Sequence, residues 1–275
     1  MELLVGDAFL GDRYTSASQR ARVITEAWIK DHGYCLACNS DKLQPTASNT
    51  QARDFECDRC GHPYELKSSS SPFARRIIDG AYASMMRRIQ TSTVPSFLLL
   101  QYTASWHLEN LCAIHHMLIT PAAIEQRKAL AVTARRAGWV GCNIDLSGIP
   151  PEGRIPLIVG GVAVPKHESR QRFAAIERLS ELSVSGRGWA AAVLKLLHKL
   201  GKEKFTTDDA YALETELSLL FPANRNVRPK IRQQLQVLRD AGLLSFESRG
   251  IYRFVTPHTD TAKGQQTSSR FIGIR

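Results

Sequence analysis

Tyr34-Cys-Leu-Ala-Cys38, a spacer of eighteen residues, then Cys57-Asp-Arg-Cys60-Gly-His-Pro-Tyr-Glu65-Leu-Lys67 is the stretch on which the reading of this 275-residue chain turns. Two Cys-x-x-Cys knuckles across such a spacer can close a tetrahedral thiolate site for structural Zn²⁺ through Cys35, Cys38, Cys57 and Cys60. A second pattern is threaded through the first: Asp54, ten residues, then Glu65-x-Lys67. Two carboxylates and a lysine in this order are the parts of a Mg²⁺-dependent nuclease centre. Mg²⁺ prefers a few carboxylates and keeps several waters. Asp54 and Glu65 would supply the carboxylates, and the backbone carbonyl of Leu66 a third ligand. Lys67 would orient or deprotonate the attacking water, its pKa lowered by the neighbouring cation. On a strand, residues two apart share a face, so Glu65 and Lys67 point the same way and Leu66 towards the core. The acid-x10-Glu-x-Lys pattern is degenerate, and the four cysteines are the stronger signal.

Composition sets the background. A net charge of +10 favours a polyanionic partner. No stretch approaches the roughly 18 apolar residues of a membrane span. The amino terminus, Met1-Glu-Leu-Leu-Val-Gly-Asp, carries an acid where a secretory leader would be basic. The expectation is therefore a cytoplasmic monomer, and reduced thiols there favour metal over disulfides. Cys112 and Cys142 lie outside the pattern and read as buried apolar side chains.

Outward from the knuckles, Ser16–Lys30 reads as an amphipathic helix with Ala21, Ile24 and Trp28 inward and a serine cluster at its start. Glu26 lies near the apolar face and could turn inward towards a metal; the plainer reading is a solvated helix glutamate. Ala52–Glu56 and Tyr64–Ser68 read as two short strands, and Phe73–Gln90 as a basic helix. Phe97–Tyr102 is a strand buried on both faces, with Leu108–Met117 and Ile155–Val159 as further strands. This alternation predicts an α/β fold, a mixed sheet flanked by helices. Residues 133–143 form a glycine-rich loop with Arg135, Arg136 and Trp139. Such a loop suits phosphates and bases, and equally a core tryptophan beside surface arginines.

Pro165–Ser185 reads as a polar linker that becomes a short charged helix, with the domain boundary at Ser185–Gly188. Trp189–Leu200, Thr207–Leu220 and a segment from Pro229 to Gly242 read as three helices. Leu243–Glu247 and Ile251–Val255 then form a hairpin. Three helices and a hairpin make a winged helix. On its third helix Ile231, Leu235 and Leu238 face inward, while Lys230, Arg232, Gln233 and Gln236 are placed to meet DNA, with Arg249 on the wing. From Thr256 the chain reads as disordered.

With these pieces assembled, the chain resembles the DpnI-like family of methyl-directed type II restriction endonucleases. The resemblance runs from about Ser16 to Phe254. It rests on Thr25-Glu-x-Trp28, both knuckles, Asp54-Phe, Glu65-Leu-Lys67-Ser, Asp79-Gly-Ala-Tyr-Ala83, Arg135-Arg-Ala-Gly-Trp139, Gly141-Cys-Asn-Ile-Asp-Leu146, Ser185-x-Arg-Gly-Trp189 and Lys230-Ile-Arg-Gln-Gln-Leu-Gln-x-Leu-Arg239. It implies a PD-(D/E)XK nuclease domain with structural zinc over residues 1–183, a winged helix over 184–256 and a tail over 257–275. It also implies Mg²⁺-dependent cleavage of double-stranded DNA within GATC sites carrying N6-methyladenine. Asp54, Glu65 and Lys67 take the catalytic places, and Trp139 matches the aromatic that contacts the adenine methyl groups. Arg53 stands where the superfamily name places a proline, which is not a ligand. The competing expectation is a non-cutting reader of adenine-methylated DNA, and a third is a structure-specific repair nuclease.

Overall fold

The apolar run Phe97–Leu100 is buried on both faces, and the N-terminal part of the chain is layered around it. The structure, a computed structural model, describes Leu4 and residues 11–47 and 53–255. Ala52 of the expected strand and the expected tail 257–275 lie outside the described residues.

Helix α1 (Ala17–His32) precedes three short strands, β1 (Leu43–Pro45), β2 (Phe55–Cys57) and β3 (Pro63–Ser69). Strand β4 (Arg76–Ala81) and α2 (Tyr82–Gln90) lead to the hairpin β5 (Ser96–Tyr102) and β6 (Leu108–Ile114). Next come β7 (Ile124–Gln126), β8 (Gly141–Asp145), β9 (Arg154–Val159), β10 (Val162–Ala163) and α3 (Lys166–Glu177). The C-terminal part comprises α4 (Val184–Lys199), β11 (Lys204–Thr206), α5 (Thr207–Tyr211), α6 (Glu214–Leu220), α7 (Val227–Asp240), β12 (Leu244–Ser248) and β13 (Ile251–Phe254).

The main sheet runs β1-β2-β3-β5-β6-β9-β10. Its β3–β5 pair is parallel and the neighbouring pairs are antiparallel, so the sheet is mixed, as the sequence pattern predicts. A parallel pair needs a crossover, and β4 with α2 supplies it. The register sets Glu65 beside Phe97 and Lys67 beside Leu99, which ties the chemistry-bearing strand to the most buried one. Helix α1 packs on β1 and β3 through Ile24, Thr25, Trp28 and Ile29. Ser16 starts it without a side-chain cap. Cys112 and Cys142 are buried, as expected.

Several expectations of secondary structure need correction. Phe73–Gln90 is not one helix: Arg76–Ala81 is a strand paired antiparallel with β8, and only Tyr82–Gln90 is helical. β-Branched Ile77 and Ile78 alternate between 6% and 65% exposure, as a strand requires, and Gly80 disfavours a helix interior. Its partner strand begins at Gly141, inside the stretch read as a loop. The supposed linker after Pro165 is helical from Lys166. Its polarity serves docking: Arg170 donates to the carbonyls of Cys35 at 3.0 Å and Ser40 at 2.8 Å, and Lys166 pairs with Asp41. The Ser185–Gly188 stretch is the first turn of α4, capped by Ser183 Oγ on the Gly186 amide. Finally, Thr207–Leu220 breaks into two helices around Ala212–Leu213, a break that no glycine or proline marks.

The C-terminal part is a helix-turn-helix domain with a wing. Thr206 and Asp209 form the capping box that opens α5. Strand β11, which the sequence pattern did not suggest, pairs with β13 and makes the wing three-stranded. Ile231, Leu235 and Leu238 of α7 are fully buried. Trp189 is 3% exposed and stacks on Phe221 at 3.9 Å between ring centroids. Among the contacts that join the two parts are Arg187 Nη2 to Ser92 Oγ (2.9 Å), His198 Nε2 to Glu152 Oε1 (2.7 Å) and Arg178 Nη1 to the carbonyl of Ala241 (3.2 Å). Trp189→Ala is expected to destabilise the protein by about 3–5 kcal/mol, the range for emptying a large buried aromatic site. The midpoint of urea unfolding checks it.

Candidate active site and zinc centre

The four knuckle cysteines converge. Cys35 Sγ lies 3.6 Å from Cys60 Sγ, Cys38 Sγ lies 3.5 Å from Cys57 Sγ, and all four fall within 4.8 Å of one another. A tetrahedron with Zn–S bonds of about 2.3 Å has edges of roughly 3.8 Å, so these thiols could hold zinc. The amides of Arg59 and Cys60 point at Cys57 Sγ, and the amide of Ser40 at Cys38 Sγ. Backbone donors of this kind favour thiolates. Gly61 turns the second knuckle at φ +69°, a conformation that suits glycine. Tyr64, fully buried, reaches from β3 to the first knuckle: its hydroxyl lies 3.4 Å from Cys35 Sγ and accepts the Leu36 amide at 2.9 Å. The residue after Tyr64 is Glu65.

The knuckle thereby clamps the strands that carry the acidic residues. The Asp54 amide donates to the carbonyl of Tyr64, and its own carbonyl accepts the Thr46 amide, each at 2.9 Å. Asp54 Oδ2 accepts the Leu66 amide at 2.8 Å. Glu65 and Lys67 share a face, as the strand period requires, and Lys67 Nζ donates to Glu65 Oε1 at 2.6 Å. Asp54, Glu65, Leu66 and Lys67 line one cleft of about 690 Å³, together with Arg22, Thr25 and Glu26 of α1. Glu26 is thus a cleft residue, the inward of its two readings, and it pairs with Arg22 at 2.6 Å. Asp79, to which sequence reasoning gave no role, reaches the cleft residue Lys67 from β4. It donates nothing and accepts Lys67 Nζ on Oδ1 at 2.9 Å, with its side chain only 8% exposed. Its one signal was its place in the Asp79-Gly-Ala-Tyr-Ala83 block.

Burial, with the charges of Asp79 and Asp54 nearby, pushes the Glu65 carboxyl up to about 7 against the pull of Lys67. Burial also works against the Lys67 ammonium, but Glu65 and Asp79 outweigh it and hold its pKa above the ordinary lysine value. That is opposite to the direction a neighbouring cation would impose. Glu65 Oε2 is buried with no hydrogen-bond partner. An orphaned carboxylate oxygen beside Asp54 fits a divalent cation.

Among the described residues one other group has metal-ligand composition: His115, His116 and Glu177. His115 Nε2 lies 3.4 Å and His116 Nε2 3.8 Å from Glu177 Oε2. His115 Nδ1, however, accepts the Met117 amide, so the neutral ring carries its proton on Nε2, facing Glu177. That tautomer is a hydrogen-bond donor, and we read the group as core packing against Phe173.

Arg135, Arg136 and Trp139 lie on the turn between β7 and β8. The turn is closed by the Leu130 amide on the Trp139 carbonyl and the Gly138 amide on the Leu130 carbonyl. Arg136 stacks on the Trp139 ring at 4.7 Å, and both arginines are exposed. The indole is half-buried and lies over Gly141, where a Cβ would come within 2.8 Å of it. On α7, Arg232, Gln233 and Gln236 are exposed, and Lys230 donates to Gln233 Oε1 at 2.8 Å. Arg249 is exposed at the wing tip, whereas Arg253 and Lys204 are both paired with Glu247.

A model of the Dam-replacing family, DpnI, matches residues 1–182, and one of the Dam-replacing HTH domain matches residues 185–254. The chain belongs to the DpnI family. Membership supports a methyl-dependent restriction endonuclease, a nuclease whose HTH domain binds DNA. As in the expected fold, this DpnI-family chain combines a mixed sheet flanked by helices with a four-cysteine cluster and a C-terminal HTH domain. No helix among its described residues is long and apolar enough to cross a membrane.

Structural zinc binds its ligands with about 10–16 kcal/mol at neutral pH, more than the whole stability of a typical domain. Cys57→Ser is therefore expected to lower zinc content and melting temperature together and to abolish DNA cleavage, although no thiol lines the cleft. Metal analysis, a thermal melt and a plasmid digest check the three readouts.

Proposed function

We propose that this DpnI-family member is a type II site-specific deoxyribonuclease that hydrolyses double-stranded DNA within GATC sites carrying N6-methyladenine, with Mg²⁺ as catalytic ion. The observation that carries the reading is the convergence of Asp54, Glu65 and Lys67 in one cleft, with Glu65 Oε2 buried and unpartnered. Asp54, Glu65 and the Leu66 carbonyl would hold the ion. When bound, it neutralises charge that grows on the scissile phosphate and lowers the pKa of a coordinated water. The chain's own groups do the rest. The Leu66 amide fixes the Asp54 carboxylate, and Lys67 Nζ orients the attacking water along the strand face it shares with Glu65. Arg22, whose side chain is 66% exposed at the cleft edge, is placed to meet a backbone phosphate.

Recognition divides between two surfaces. In the nuclease domain (residues 1–183) Arg135 and Arg136 would grip phosphate or guanine, and Trp139 would cover the adenine methyl group. In the winged-helix domain (residues 184–256) Gln233 and Gln236 suit the N6/N7 edge of adenine, with Lys230, Arg232 and Arg249 on phosphates. Burying one methyl group is worth about 0.8 kcal/mol, less than a tenfold preference. Strict methyl dependence therefore calls for a wet, unfavourable void when the methyl is absent, or for two surfaces whose selectivities multiply.

Plasmids with methylated and unmethylated GATC sites, incubated with the protein and Mg²⁺, test the reading. Cuts confined to the methylated plasmid are expected, and binding without cuts would instead indicate a reader. Asp54→Asn and Lys67→Ala are each expected to slow cleavage by about 10²–10⁴-fold, the usual range for a group that positions or transfers a proton. Retained affinity for a methylated duplex in a gel-shift assay would localise that loss to the chemical step. Trp139→Ala is expected to shrink the ratio of methylated to unmethylated cleavage, measured in a competition digest.

A further inference from the structure

Lys67 is held from two directions. Glu65, two residues away on the same strand, takes Nζ at 2.6 Å, and Asp79 takes it at 2.9 Å from β4. Strands β3 and β4 belong to different sheets, so the Lys67–Asp79 contact is a side-chain bridge between them. An ammonium group has three N–H donors and no acceptor. With two donors committed to carboxylates, the direction of the third is fixed. Glu65 alone would leave the group free to swing about that one bond.

The second sheet is also the one that carries the reading turn. Strand β4 pairs with β8 through Asp79↔Cys142 and Ala81↔Gly141, with a bulge between the two pairs. Bulges next to active sites re-aim side chains. Beyond it, the Tyr82 amide donates to the Val140 carbonyl at 3.1 Å, and the Arg127 amide to the Gly141 carbonyl at 3.0 Å. Trp139 precedes Val140 and lies over Gly141. Asp79 is therefore three residues in sequence from Tyr82, the first residue of α2, whose amide is bonded to the residue after Trp139. Apart from the pair to Lys67, no side-chain hydrogen bond or ion pair engages the Asp79 carboxylate among the described residues. A carboxylate buried to 8% exposure with that single partner is placed for the lysine.

We propose that Asp79 is a positioning residue that sets the orientation of Lys67 and makes it depend on the sheet bearing the methyl-reading turn. This rests on the assignment of Lys67 to the chemical step. When a methylated site seats against Trp139, β8 and β4 settle with it, and Asp79 brings the free N–H of Lys67 to bear on the water. On an unmethylated site the turn is unsupported and the lysine is less well aimed.

The test uses the full-length zinc-loaded protein in three forms, wild type, Asp79→Ala and Asp79→Asn, on methylated and unmethylated GATC duplexes with Mg²⁺. Asp79→Ala is expected to lower kcat on the methylated site by on the order of 100-fold, the effect of a small misplacement of a reacting group. KM, duplex affinity and melting temperature should stay near wild type. Asp79→Asn keeps an acceptor oxygen in the same place and should recover part of kcat. The ratio of methylated to unmethylated kcat should fall in Asp79→Ala. Wild-type kcat in Asp79→Ala, or a loss of affinity that follows kcat in both variants, overturns the proposal. A reduced kcat with an unchanged ratio overturns the link to the reading turn. Lys67→Ala run alongside separates the two levels: if it cuts like wild type, the assignment of Lys67 fails and this inference with it. If it is dead while Asp79→Ala is fully active, only this inference fails.

Discussion

One short hydrogen bond, from the Leu66 amide to Asp54 Oδ2 at 2.8 Å, fixes the geometry of the cleft. It exists because β2 and β3 pair in a single register, Phe55 opposite Tyr64 and Glu56 opposite Pro63. Side chains alternate along a strand, so a slip of one residue would turn Glu65 and Lys67 to the other face. A three-residue strand such as β2 cannot hold a register by itself. The second knuckle stands at the turn of this hairpin, the first is tied to it through Tyr64, and Arg170 of α3 grips the carbonyls of the first. The metal-ligand set thus does for β2 and β3 what a longer hydrophobic strand does elsewhere.

The electrostatics of the cleft oppose those of the protein around it. The chain carries +10 overall, yet Lys67 stands among Asp54, Glu65 and Asp79. Exposed positive charge lies outside the cleft, on Arg135, Arg136 and the exposed side of α7. Long-range attraction favours a polyanion at the surface, while the carboxylates of the cleft repel phosphate at close range. The wing contributes less than its sequence suggests, because Glu247 engages both Arg253 and Lys204. Among the exposed side chains of the C-terminal domain are Arg232, Gln233 and Gln236 of α7 and Arg249 at the wing tip, residues proposed above to meet DNA.

Much of this was legible in the residues, for reasons that differ by region. Cysteine pairs announce themselves because four thiols have few other uses in a reduced compartment, and the Glu65–Lys67 face follows from strand period alone. Buried Phe97–Leu100 and the Ile231/Leu235/Leu238 stripe were readable because burial demands apolar residues at fixed spacing. What failed was pairing at a distance. Arg76–Ala81 looks helical until β8 lies beside it, and Gly141-Cys-Asn looks like loop until β4 does; each strand is visible only through the other. Lys166–Arg172 looked like a linker because its polar groups serve the knuckle carbonyls. Asp79 stayed silent for the same reason, since its partner lies on another sheet.

Gly141 contributes no side chain, yet it shapes the surface that Trp139 presents, because the indole occupies the volume where a Cβ would stand. Changing that position would lift the ring without altering any group that touches a ligand. The height of the indole above β8, and with it the room left beside the ring, is set by an atom the residue lacks. If the turn reads bases as proposed, redesign of its preference can begin there, beneath the aromatic platform, leaving the neighbouring arginines as they are.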